Sequence, residues 1–179
     1  MFLGKSSKKR LIFSSLIVAG CLLPSVPVAT LAQSNPGLIL FGGVERNNRL
    51  NYHLDFGGRA NRWERYRLRI PANKMELSAA QFAISYPDYY DGKFDPDDIE
   101  VRVQGESLPV QEVVWDKDNH LLQIYMEEPV EADNKVEIVL SNVKNPRFGG
   151  TYYFDVRILT PGDVPLPRYL GTWIVSIGR

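Results

Sequence analysis

The chain has 179 residues, 21 Lys plus Arg against 21 Asp plus Glu, and a single cysteine. That length suits one domain with appendages. The charge balance argues against a dedicated nucleic-acid binder, whose surface would be basic, and one cysteine provides no disulfide framework.

The N-terminus reads as an appendage. Lys5, Lys8, Lys9 and Arg10 form a basic region, residues 11–23 are mostly apolar, and Thr30 and Ala32 place small residues at the minus-three and minus-one positions of a cleavage site. This order predicts a secretory signal peptide over residues 1–32. The apolar run is short for a bilayer span, which takes about 20 residues, so the mature chain is expected to have no membrane span unless this segment is retained as an anchor. Val18-Ala19-Gly20-Cys21 resembles the lipobox of bacterial lipoproteins. Cleavage after Ala32 is the favoured reading, with lipidation of Cys21 as the alternative. Cleavage after Ala32 removes the four basic residues and leaves seventeen Lys plus Arg against twenty-one Asp plus Glu. The mature chain is then about four units negative, without cysteine, and long enough to bury a core.

Residues 33–48 read as a mature N-terminal segment, with a short apolar run at 38–41 as a first edge strand. Residues 49–56 alternate: Leu50, Tyr52, Leu54 and Phe56 point one way, and Asn51, His53 and Asp55 the other. Period-two alternation marks a half-buried strand. Residues 63–70 repeat it, with Tyr66, Leu68 and Ile70 against Arg65, Arg67 and Arg69, and Pro71 ends the run. Residues 72–80 predict a loop with one turn of helix, followed by a strand over 81–84. Residues 88–98 are acidic and rich in turn residues. Strands follow over 99–104, 110–115 and 121–126, the last two joined as a hairpin by Asp116-Lys117-Asp118-Asn119. Further strands are predicted over 136–140, over 151–159, and in a last segment ending at Ile177. About nine short strands with turn chemistry between them predict an all-β, antiparallel β-sandwich of immunoglobulin-like type over residues 49–179.

Few residues in this frame point to chemistry. Asp91, Asp95, Asp97 and Asp98 offer the hard oxygen ligands that calcium prefers, although their spacing is not that of an EF-hand loop; the competing reading is a solvated, capped turn. His53 and His120 stand apart and lack the additional N or S donors a zinc or copper site needs. No Gly-x-Ser-x-Gly elbow or phosphate-binding glycine loop is present. Among the aromatics, Tyr86, Tyr89 and Tyr90 crowd one loop, and Tyr153 is expected outward on a strand whose Tyr152 and Phe154 face the core. Exposed rings there would give a binding surface, because a ring offers large contact area at low entropy cost.

Arg69-Ile70-Pro71-Ala72-Asn73, Asn145-Pro146, then Gly150, Tyr152, Phe154 and Val156, Pro161-Gly162, and Leu170-Gly171 before Ile174 resemble the DUF2808-like exported domains of unknown function, a family found mainly in cyanobacteria. The resemblance spans residues 66–177. It implies an envelope or periplasmic location and a β fold, and it brings no catalytic residues. Pro71 and Pro146 read as strand terminators, and Gly150 and Gly162 as positions whose dihedrals a side chain would oppose.

The expectation for function is a non-enzymatic cell-envelope module that binds a protein or glycan and uses no cofactor. The alternatives are a carboxylate-dependent hydrolase of envelope polysaccharide, whose two acids must face each other across a cleft, and a calcium-stabilised adhesion-type module.

Overall fold

The computed structural model describes residues 43–179. The predicted signal segment, Cys21 and the edge strand expected at 38–41 lie outside the described residues.

The described chain forms eleven strands: β1 (Arg49–Leu50), β2 (Tyr52–Leu54), β3 (Trp63–Ile70), β4 (Ala79–Ser85), β5 (Ile99–Val103), β6 (Glu106–Leu108), β7 (Val110–Asp116), β8 (Leu121–Val130), β9 (Val136–Lys144), β10 (Gly150–Leu159) and β11 (Pro167–Ile177). One sheet runs β1-β11-β10-β4-β8-β7 and the other β2-β3-β9-β5-β6. The immunoglobulin-like sandwich expected from the alternation is present. Its pairings are antiparallel apart from β1, which runs parallel to β11.

The alternation explains the core. Leu68, Ile70, Val101, Ile138 and Leu140 from one sheet meet Phe82, Ile84, Ile124, Phe154, Val156 and Trp173 from the other, all buried. Pairs of facing apolar rows are what hold two sheets about 10 Å apart. Trp173 is fully buried, and its indole N–H donates to the Arg69 carbonyl across the sandwich at 3.1 Å.

Two sequence expectations change. The strand expected over 49–56 divides at Asn51: Leu50 belongs to the first sheet and Tyr52 to the second, with Asn51 spanning them while its carbonyl accepts from Arg69 N–H at 3.0 Å. Phe56 consequently lies past the end of β2 and is exposed instead of joining the core row. Space also dictates Gly171, since a Cβ there would lie 2.6 Å from the Asn48 carbonyl, inside the parallel β1–β11 contact. Gly150, by contrast, begins β10 and has room for a Cβ, its nearest neighbour being 3.6 Å away, whereas Gly162 does adopt a positive φ of 120°. β6, between Gly105 and Pro109, is a short edge strand that the turn residues concealed.

Among the described residues, no helix is long and apolar enough to cross a membrane.

Candidate functional site: the loop end of the sandwich

One end of the sandwich gathers the β2–β3 loop, the β4–β5 loop, the β7–β8 turn and the β9–β10 loop. Hydrogen bonds fasten these segments together. Asn145 N–H donates to the Arg62 carbonyl at 2.9 Å, Asn61 N–H to Pro146 at 2.8 Å, and Lys93 and Lys144 exchange backbone bonds at 2.9 and 2.8 Å.

Beneath them lies a buried polar hub. The Tyr66 hydroxyl donates to Asn145 Oδ1 at 2.6 Å and lies 3.2 Å from the Tyr90 hydroxyl, while Asn145 Nδ2 donates to the Arg59 carbonyl at 2.8 Å. Burial pushes both phenols above the usual tyrosine range, so they remain protonated donors. Tyr90 therefore donates to Tyr66, and Tyr66 to Asn145. Glu64 works alongside: its buried carboxylate accepts from the backbone N–H groups of Phe56, Gly58 and Arg65 at 2.7, 2.7 and 2.9 Å. The bonds to Phe56 and Gly58 hold the β2–β3 loop in one shape, and Gly58 adopts its φ of +61° without a side-chain clash.

Around the hub is an aromatic cluster. Tyr90 stacks on Phe94 with centroids 5.5 Å apart and meets Phe154 edge-on at 5.1 Å. Tyr86 contacts Tyr90, Phe94 and the His120 ring, at 5.6, 5.3 and 5.6 Å, and Phe94 meets Trp115 at 5.4 Å. Such pairs contribute about 0.5–1.5 kcal/mol each beyond the area they bury.

The four tyrosines expected to bind a partner divide into two pairs. Tyr86 and Tyr90 are only 8% and 3% exposed and belong to the core cluster, a correction to the expected loop surface. Their rings lie directly under the loop end, where burial is worth more than exposure. Tyr89 and Tyr153 stay outside at 59% and 43% exposure, and Tyr89 rests against Tyr152 at 5.7 Å.

Three of the four acidic side chains of the loop are engaged by different partners. Asp91 accepts from Arg147 N–H at 3.0 Å and from its Nε at 2.5 Å, and the guanidinium holds the carboxyl below the usual carboxylate range. Asp95 accepts from Asp97 N–H at 3.3 Å, capping the 3-10 turn Pro96–Asp98, and Asp98 accepts from Asn142 Nδ2. Asp97 is exposed. No group of three or more His, Cys, Asp or Glu placed to hold a metal ion occurs among the described residues.

What the alternation could not reveal is the rim. Trp63 and Phe148 are 61% and 73% exposed, with Lys144 Nζ 5.3 Å from the Trp63 ring centre and the Arg147 guanidinium 5.9 Å from that of Phe148. Beside the rim is a depression of about 280 Å³ lined by Tyr86, Asp91, Lys93, Trp115, Lys117 and His120, among others. His120, at the tip of the β7–β8 hairpin, adopts a left-handed φ of 54° and lays its ring against Tyr86. A second depression of about 410 Å³ lies at the sheet switch, by Asn51, Arg69 and Lys135. The first contains one carboxylate and the second none, so neither has the pair that glycoside hydrolysis requires. The crowded loop tyrosines, Asp91 and the hairpin turn were the sequence signals for this surface, and only the fold brings Tyr86, Tyr90 and Asp91 together with Trp115, Lys117 and His120.

A family model described as "Protein of unknown function (DUF2808)" matches residues 38–177, and the chain belongs to that family. No curated protein matches the chain. Among solved structures, it is similar to BslA, a bacterial hydrophobin, at 13% identity over 73% of this chain and 97% of that one, with a TM-score of 0.46. It is also similar to the collagen-binding domain from a Staphylococcus aureus adhesin, at 8% identity over 73% and 97%, with a TM-score of 0.41. An uncharacterized Nocardia farcinica protein with an immunoglobulin-like fold matches at 10% identity over 73% and 99%, with a TM-score of 0.40. Likeness at this level transfers no function to the chain.

Proposed function

We propose that this DUF2808 protein is an exported, non-enzymatic binding module of the cell envelope, and that it engages an envelope glycan or protein with the loop end of its sandwich. The observation that carries the reading is the pairing of exposed rings with a rigid base. Tyr89, Trp63 and Phe148 stand out in solvent, while the loops bearing them are fastened by the Tyr66–Asn145 hub and the Glu64 carboxylate. Preorganised loops lose little entropy on binding, so ring contacts made there convert efficiently into affinity. The N-terminal signal pattern supports export, and the family resemblance supports an envelope setting.

The test is in-cell crosslinking from a photoreactive residue at Phe148, with one at Glu106, on the edge strand β6 opposite Val103, as the control. A defined partner captured from Phe148, and lost in a Trp63→Ala/Phe148→Ala variant crosslinked from Tyr89, is the expected result. Equal capture from Glu106, or none from the loop end, removes the reading.

A further inference from the structure

The 280 Å³ depression beside the rim is rich in donors and poor in free acceptors. Lys93 and Lys117 contribute ammonium groups, and His120 an imidazole. The Tyr86 hydroxyl accepts from the Trp115 indole N–H at 2.8 Å, which leaves its own proton to donate. The one carboxylate, Asp91, has both oxygens engaged by Arg147. Lys117 Nζ lies 4.3 Å from the centre of the Trp115 ring, which fixes its charge over the mouth of the depression. An anion satisfies this inventory; a neutral ligand with mixed groups would find few acceptors.

Size and surroundings narrow the anion. The depression falls just short of the roughly 300–1,000 Å³ of drug-sized pockets, so it holds a single small ring or headgroup. The open cations here are lysines, point charges that pair with a carboxylate or a phosphate alike, so the exposed rings nearby, which suit the flat face of a sugar, carry the choice of a carboxylate borne on a sugar ring. Two exposed rings stand near it: Tyr89 rests on the buried Tyr152, which meets Tyr90 of the wall at 5.2 Å, and Phe148 follows Arg147, the partner of Asp91. A polymer seated by one anionic unit therefore has flat aromatic surface on which its neighbouring units can lie.

Resting on the loop-end binding reading, we infer that this depression seats the carboxylate of a uronic-acid unit in an acidic polysaccharide, with Lys93 and Lys117 as charge partners and Tyr86 as hydroxyl donor. Neighbouring neutral units lie against Tyr89 and Phe148, both of which adjoin Tyr152.

Isothermal titration of the full chain with trigalacturonate and with its carboxyl-reduced, neutral counterpart tests this. The acidic trisaccharide should bind at least tenfold more tightly. Lys93→Gln and Lys117→Gln should each weaken it about fivefold, the scale of one partly exposed charge pair, with unchanged circular dichroism and melting. Equal affinity for the neutral sugar, an unaffected double variant, or inorganic phosphate competing at the same concentration as the uronate overturns the inference. If no saccharide binds while the Phe148 crosslink captures a defined envelope protein, the uronate site falls and the loop-end module stands. If both experiments fail, both readings fall.

Discussion

Replacing Asn145 with alanine should separate the hub from the loops it carries. Asn145 is buried and joins three strand-end segments: Oδ1 accepts from Tyr66, Nδ2 donates to the Arg59 carbonyl, and its backbone N–H donates to Arg62. Alanine keeps the backbone bond and deletes both side-chain bonds. Each buried group left unpaired costs about 1–3 kcal/mol. The Tyr66 hydroxyl does not recover its loss by turning to the Tyr90 oxygen 3.2 Å away, since that displaces the proton Tyr90 donates to it, whereas the Arg59 carbonyl recovers part of its own through solvent at the loop. The net destabilisation is therefore about 2–4 kcal/mol, which for a domain of this size is roughly 6–16 °C in melting temperature. Urea unfolding followed by tryptophan fluorescence gives the first number. Amide hydrogen exchange gives the location, with protection lost first over residues 57–62 and retained in β10 and β11. A loss under about 1 kcal/mol, or exchange raised evenly through both sheets, would refute the hub as the element that sets the loop end.

Gly171→Ala should force β1 away from β11, since the new Cβ meets both the Asn48 carbonyl and Leu50; a loss of more than about 2 kcal/mol is expected, and an unchanged urea midpoint would contradict the packing. Asp55 predicts an acid limb of stability. Its hydrogen bond with Arg67 at 2.8 Å holds its carboxyl below the usual carboxylate range, so its contribution is fully present above the unfolded pKa and disappears as pH falls through the lower folded pKa. The urea midpoint of Asp55→Asn should accordingly be lower than that of the parent at pH 6 and converge with it as pH falls through the lowered folded pKa. A constant gap across that range would show that the ion pair is not the cause. Melting in calcium and in chelator should give the same midpoint, because Asp91, Asp95 and Asp98 are each engaged by a different partner; a calcium-dependent rise would restore the calcium-stabilised reading.

Periodicity carried the fold. β3 begins at Trp63 and ends at Ile70 as Arg65, Arg67 and Arg69 alternating with Tyr66, Leu68 and Ile70 required, and the β7–β8 hairpin closes at the turn its residues specified. Tyr152 and Phe154 went inward and Tyr153 outward for the same reason, since successive residues of a strand point to opposite faces. Alternation fixes a face within a strand but says nothing about which sheet the strand joins, so the switch at Asn51 and the exposure of Phe56 were not legible. Loops have no period at all. Whether Tyr86 and Tyr90 lie inside and Tyr89 outside depends on Phe94, Phe154 and Trp115 arriving from distant strands.

The candidate site follows the same division. The sequence determined an all-β sandwich, the hairpin that places Trp115 beside Lys117, and the supply of rings, because those depend on neighbours along the chain. Tertiary structure decided which rings remained exposed, that Asp91 would be engaged by Arg147, and that Lys93, Lys117 and His120 would share one depression. Those outcomes depend on contacts such as Tyr66 with Asn145, seventy-nine residues apart, where burial and hydrogen bonding are settled only once the two sheets close on each other.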